Sequence, residues 1–261
     1  MAELQGRRAL ITGGASGIGH LAAETFAREG AEVFVFDADG ESAADLAGRI
    51  QAQGGRAAWV AGSVAEEEDV RAAFELLDRE LGGIDILFNN AGISDNKPTL
   101  EMTAADWDRT MDINLRGAFL CAQEAGRRMC AQGSGAIVNN ASIWGLAAAP
   151  ERMAYTVSKT GLVAMTKVLA NEWAARGVRV NAVCPGFTNT PMIQSLVERG
   201  KLDPTNLTKR TPMGRMAHTE EIVDLVLFLA SDRASFITGQ AIAADGGWTS
   251  YAFLQDWLDA R

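Results

Sequence analysis

Ser142, Tyr155 and Lys159 are the side chains whose types and spacing can move a proton. Ser142 follows the run Asn139-Asn140-Ala141, which puts a hydroxyl at a strand end. Tyr155 and Lys159 lie four residues apart, so on a helix they return to nearly one face. An ammonium beside a phenol favours the phenolate and lowers its pKa from about 10. Reaching about 7 takes roughly 4 kcal/mol of differential stabilisation. A phenol near neutrality can both give and take a proton. Taken alone, the pair equally describes a tyrosine at a helix edge beside a solvated lysine. The rest of the chain decides.

The positioning elements alternate. An apolar run at Arg8–Thr12 reads as a buried strand, followed by a glycine cluster and a helix over 20–29. A second strand, Glu32–Asp37, closes on an acid. The pattern continues with a helix at 41–53, a strand at 56–61, a helix at 66–81 and a strand at 84–88. Then come a helix over 104–132, a strand at 135–141, a long helix over 153–176 and a strand at 179–183. A helix at 220–230 and a strand at 240–243 close the series. Such alternation predicts an α/β fold, a parallel sheet covered on both faces, in one domain spanning 1–261. Residues 187–218 are an excursion without a clear period, expected to hold short helices and to act as a substrate lid.

Gly13, Gly17 and Gly19 fall directly between the first strand and the first helix. Glycines there let the backbone approach a pyrophosphate, whose charge a helix N-terminus stabilises. Asp37 ends the second strand eighteen residues after Gly19. An acid at that place accepts from ribose hydroxyls and repels a 2′-phosphate. Ser16, Ala38 and Asp39 supply no positive charge for such a phosphate, so NAD is expected rather than NADP.

The ordered set Thr12-Gly13-Gly14-Ala15-Ser16-Gly17-Ile18-Gly19, Asn89-Asn90-Ala91-Gly92, Asn114, Ser142, Tyr155, Lys159 and Cys184-Pro185-Gly186 resembles the classical short-chain dehydrogenase/reductase family, over nearly the whole chain. The resemblance implies a doubly wound, Rossmann-type sheet of seven strands and oxidation of an alcohol or reduction of a ketone with a nicotinamide cofactor. It implies that Asn90, Ala91 and Gly92 pass the cofactor ribose, that Thr188 and Thr190 lie near its carboxamide, and that Pro185 and Gly186 belong to the same wall. By the same resemblance, Tyr155 takes the substrate proton, Lys159 holds the nicotinamide ribose, Ser142 bonds the substrate oxygen, and Asn114 holds a water leading from Lys159 to solvent. One departure stands out. Many members carry an acid after the third strand that contacts adenine, where this chain has Ser63 and Val64.

By position the substrate pocket should be edged by Ser94, Asp95 and Asn96, by Ile143, Trp144, Glu151 and Arg152, and by Phe187, Asn189 and Met192. Charges and amides beside an indole suit a small hydroxylated molecule such as a sugar or polyol; a solvated rim around an apolar ring alcohol is the alternative. The long helix carries more apolar residues (Val157, Leu162, Met165, Val168, Leu169, Trp173) than one stripe requires. A subunit interface is therefore expected, and with the resemblance a homotetramer. The aromatic tail, 248–261, is expected to pack on a neighbour or over the active site.

Composition narrows the rest. A net charge of −9, with 24 basic residues scattered among 33 acidic ones, argues against nucleic-acid or anionic-membrane partners. No stretch reaches the roughly 20 apolar residues of a membrane span, and the N-terminal residues have no signal-peptide pattern. Three cysteines and two histidines give no metal-ligand spacing, and the thiols read as reduced and cytoplasmic. Two rival functions remain: a 3-oxoacyl thioester reductase of the same family, and a non-catalytic sensor of NAD.

Overall fold

Alternation along the strands assigns both faces of the sheet. In β2 (Glu32–Asp37), Val33 and Val35 point to one side and Phe34 and Phe36 to the other, all fully buried. A strand buried on both faces must sit between two helical layers. The computed structural model describes residues 2–200 and 202–250. Around β2 stand β1 (Arg8–Thr12), β3 (Ala57–Ala61), β4 (Ile86–Asn89), β5 (Gly135–Asn140), β6 (Val178–Pro185) and β7 (Ala241–Ala244). They form a parallel seven-stranded sheet in the order β3-β2-β1-β4-β5-β6-β7.

Helices α1 (Gly17–Arg28), α2 (Gly40–Ala52) and α9 (Thr219–Ala230) bury one face through Phe26, Leu46, Ile50 and Val226. On the other face α3 (Glu67–Leu81), α5 (Gly117–Gln132) and α6 (Met153–Trp173) pack through Phe74, Leu77, Met129 and Leu169. The short α4 (Ala104–Met111), α7 (Pro191–Glu198) and α8 (Pro204–Lys209) complete the described helices. The doubly wound sheet expected from the sequence is present as one domain. Strand order reverses at β1, whose neighbours are β2 and β4. A crevice opens at the carboxyl ends of strands on either side of such a switch point.

Three elements differ from the sequence reading. The helix expected over 104–132 is broken by a π-helical turn, Asp112–Arg116, which turns Asn114 fully inward. One inserted residue is invisible to a 3.6-residue period, and such turns recur at functional sites. The strand expected from 84 begins at Ile86, because the Asp85 carboxylate takes the Arg8 backbone N–H (2.9 Å) and guanidinium (2.7 Å). The surplus apolar residues of α6 divide: Leu162 and Leu169 are buried and Trp173 covers Gly126, while Val168 stays 54 % exposed.

Candidate active site

The glycine loop is held against β4 by backbone contact. Thr12 Oγ1 accepts from the N–H groups of both Asn90 and Ala91, each at 3.0 Å, and Asn90 Nδ2 donates to the Gly13 carbonyl at 2.8 Å. A Cβ on Gly13 would lie 2.8 Å from Ala91 Cα, and one on Gly19 would overlap the Gly13 carbonyl oxygen. These two positions exclude any side chain. Gly17, at φ 56°, instead opens toward Thr190, whose Cβ would stand 4.0 Å from a methyl placed there. Ser16 precedes α1 without making a capping bond. Asp37 is not merely solvated: its Oδ2 accepts from Ala15 N–H (2.8 Å) and its Oδ1 from Asp39 N–H (2.9 Å). A carboxylate has about four acceptor sites, so it can still accept from a ligand. After β3, Ser63 N–H is held by Asp69 of α3 at 2.8 Å.

The proton-bearing groups converge at the ends of β5 and α6. Ser142 begins a single 3₁₀ turn, with its Oγ accepting from Trp144 N–H at 3.2 Å. Lys159 is buried, and its Nζ donates to the Asn140 carbonyl at 2.7 Å, 5.6 Å from the Tyr155 ring centre. Asn114 and Lys159 flank Gly92: a Cβ there would lie 3.3 Å from Asn114 Oδ1 and 3.4 Å from Lys159 Nζ. Asn114 is fixed by Ile93, accepting from its N–H (2.8 Å) and donating to its carbonyl (2.9 Å), and it donates to Ser158 Oγ at 3.2 Å.

The electrostatics depart from the sequence reading. Burial raises the Tyr155 pKa, and the pull of Ser142 and Arg152 in the other direction does not overcome it. Burial lowers Lys159 to about 8, so the ammonium is itself poorly stabilised. Lys159 shares a helix face with Tyr155, but its charge is aimed at a carbonyl of β5 rather than at the phenol. The same burial pushes the neighbouring Cys184 thiol up to about 11.

Behind these groups runs a buried amide ladder that motif reading passed over. Asn89 Nδ2 donates to Asn139 Oδ1 (3.0 Å), and Asn139 Nδ2 donates to Thr166 Oγ1 (2.9 Å). The signal was the repeated Asn-Asn at the ends of two strands, at 89–90 and 139–140.

One cavity of about 400 Å³ joins both sets. Its wall includes Gly13, Ser16, Gly17, Ile18, Asp37, Ser63, Val64, Asn90, Ala91, Gly92, Pro185, Gly186, Thr188 and Thr190, together with Ser94, Ser142, Trp144, Arg152, Tyr155, Lys159 and Phe187. Gly19, Asn96, Asn114, Glu151 and Asn189 stand off it. Gly19 packs behind Gly13; Asn189 Oδ1 accepts from Gln194; Glu151 is solvent-exposed. The wall also contains Ile93, Ile113, Ile193 and Leu196, apolar residues that carried no motif. At the far end Trp144, Phe187 and Trp248 meet edge to face, with centroids 5.0 to 6.4 Å apart. Trp248, the first residue of the tail, thus packs within its own chain; Tyr251 to Leu258 lie outside the described residues.

A family model described as enoyl-(acyl carrier protein) reductase matches residues 13–249. The chain belongs to the classical short-chain dehydrogenase/reductase family. It is 42 % identical to a D-threitol dehydrogenase of Mycolicibacterium smegmatis, with 95 % of this chain and 94 % of that one aligned. It is 41 % identical to a cis-4-hydroxycyclohexanecarboxylate dehydrogenase of Sinomonas cyclohexanicum, over 94 % and 97 % of the two chains. A crystal structure of a short-chain type dehydrogenase/reductase from Mycobacterium marinum superposes with a TM-score of 0.90 at 36 % identity, covering 95 % and 98 %. As a member of this dehydrogenase/reductase family, the protein is an oxidoreductase of the nicotinamide-dependent kind. No described helix is long and apolar enough to cross a membrane.

Proposed function

We propose that the protein is an NAD-dependent dehydrogenase of secondary alcohols, of the polyol, sugar or related hydroxy-compound class, with Tyr155 as general acid/base. The observation that carries this reading is the placement of Ser142, Tyr155 and Lys159 on the wall of the same cavity that reaches the glycine loop and Asp37. The loop suits a dinucleotide: its backbone packs without room for side chains, and the uncapped start of α1 faces the cavity at Gly17. Asp37, with acceptor capacity left, would take the adenosine ribose hydroxyls and disfavour a 2′-phosphate.

The bound nicotinamide would supply the hydride acceptor and, when oxidised, a positive charge beside the phenol. Ser142 orients the substrate oxygen, and Tyr155 receives its proton. Lys159, held to the Asn140 carbonyl, places an ammonium where ribose hydroxyls would lie. Asn114 fixes the Ile93 backbone and, through a water, would connect Lys159 to solvent. Residues 187–218 would act as the lid, and the exposed apolar residues of α6, Val157 and Val168, as part of a homotetramer interface in a cytoplasmic enzyme.

The rival 3-oxoacyl thioester reductase draws on likeness to a 3-oxoacyl-(acyl carrier protein) reductase of Thermotoga maritima, 38 % identical over 94 % of this chain, and a sensor of NAD would need only the cofactor end. Near-ultraviolet absorbance of reduced nicotinamide, followed with NAD and NADP over a panel of alcohols and with NADPH over 3-oxoacyl thioesters, decides among them. Turnover with NAD should fall by about 10²- to 10⁴-fold in Tyr155→Phe while NAD still binds. Turnover confined to NADP and acyl thioesters would favour the reductase; tight NAD binding with no turnover would favour the sensor.

A further inference from the structure

Nine of the eighteen described arginines pair with acids. Arg8 pairs with Asp85, Arg128 with Asp78 and Glu124, Arg56 with Glu32 and Arg215 with Glu221. Arg179, removed from water beside β6, gives its guanidinium to the carbonyls of Leu229, Ala230 and Ser231. Arg152 is different. It is half-buried in the cavity wall, and among the described residues it forms no ion pair. Among the described residues its guanidinium donates to one partner, Ser94 Oγ at 3.2 Å, and lies 5.8 Å from the Trp144 ring centre. A guanidinium has five N–H donors in a fixed fork. Among the described residues, the other four have no partner.

The position is held by the backbone. Glu151, immediately before, has φ 62°, a left-handed conformation that costs a side-chain-bearing residue free energy. Its carbonyl accepts from Lys97 N–H at 2.9 Å, which ties the 94–97 segment to the start of α6. That tie places Ser94 beside Arg152 and presents the guanidinium to the space between Trp144 and Tyr155. Desolvation destabilises the cation there, with only Tyr155 and Glu151 acting in its favour. A cation kept in a cavity at such a cost is matched by an anion that arrives with the ligand.

We infer that Arg152 is a specificity-determining residue that grips a carboxylate on the substrate, so that the alcohol oxidised is a hydroxy acid whose hydrocarbon part lies against Trp144 and Phe187. The inference rests on the dehydrogenase reading and narrows its substrate class. A carboxylate fits better than a neutral hydroxyl because the planar fork takes two oxygens at once. Ser94 orients the fork, and the indole covers one of its faces.

The test separates binding from turnover. Calorimetry would compare cyclohexanecarboxylate, which has no hydroxyl to oxidise, with cyclohexanecarboxamide, on the wild type, Arg152→Gln and Arg152→Lys, each loaded with NAD. The wild type should prefer the acid about 10- to 100-fold, Arg152→Gln should lose that preference, and Arg152→Lys should keep part of it. The kcat/KM ratio of short hydroxycarboxylates to their own carboxamides should fall by the same factor in Arg152→Gln. Equal binding of acid and amide by the wild type, or a preference that survives in Arg152→Gln, overturns the assignment. Should Arg152→Gln not fold, loss of the fork in Arg152→Lys still has to reduce the preference. Acid-selective binding with no turnover of any alcohol would sink the dehydrogenase reading and leave the anion grip standing. Turnover of neutral alcohols without preference for acids would do the reverse.

Discussion

The two ends of the cavity are built by different means. At the cofactor end much of the wall is main chain: Gly13, Gly17 and Gly92 bring no side chains to it, the loop is fixed by Thr12 and Asn90, and Ser16, Asp37 and Ser63 add small polar groups. At the substrate end it is side chains drawn from remote segments, Ser94, Trp144 with Arg152, and Phe187, backed by Trp248. Where main chain forms the wall, substitution is restricted, at Gly13 above all, and the same groups are presented whatever the ligand's far end. Side-chain walls can be rewritten without disturbing the sheet. The difference teaches where selectivity for cofactor and for substrate can change independently.

Lys159 sits where the two ends meet, and removing it should have the largest effect on stability. Its folded pKa, about 8, lies below the ordinary 10.5, so between those values the unfolded chain binds more protons. Stability lost to burial at neutral pH is therefore regained as pH rises from about 8 to 10.5, by roughly 3 kcal/mol. Chemical denaturation across that range, without cofactor, should show the slope in the wild type and a flatter one in Lys159→Met. Equal slopes would mean that the ammonium is better stabilised than its burial implies.

Gly19→Ala probes the main-chain end. Its Cβ meets a backbone oxygen, which cannot move aside as a side chain can. Overpacking of this kind costs about 1–3 kcal/mol, so the melting temperature should drop by several degrees and NAD affinity with it. An unchanged melting temperature would show that α1 shifts freely against β1, and the contrast between the two ends would fail. Trp248→Ala probes the side-chain end. Loss of its ring contacts, worth about 0.5–1.5 kcal/mol, should raise the alcohol KM up to about tenfold while the NAD Kd stays put. A change in NAD Kd of the same size would show that the two ends are coupled.

The sequence made the sheet legible because strands buried on both faces read as short apolar runs, most of them closed by glycine or asparagine and β2 by Asp37. It did not reveal the π-helical turn at 112–116, whose effect on Asn114 is one of phase rather than of composition. The Tyr155–Lys159 spacing put both residues on one wall, yet spacing carries no information on where a flexible ammonium points. Packing aimed it at Asn140, and burial reversed the direction in which Tyr155 shifts. Ile193 and Leu196 carried no signal because an apolar side chain far along the chain looks the same in a core as in a pocket.

The aromatic trio has an optical consequence. Trp144 and Trp248 are both nearly excluded from solvent, in edge contact at 5.0 Å, and Arg210 lies 4.1 Å from the Trp248 ring centre. Indole emission responds to nearby charge and to water. A molecule entering beside Trp144 changes both, and a reduced nicotinamide in the same cavity absorbs in the emission band. Occupancy of the substrate end is thus written into the protein's own fluorescence, giving an equilibrium titration that needs neither label nor turnover.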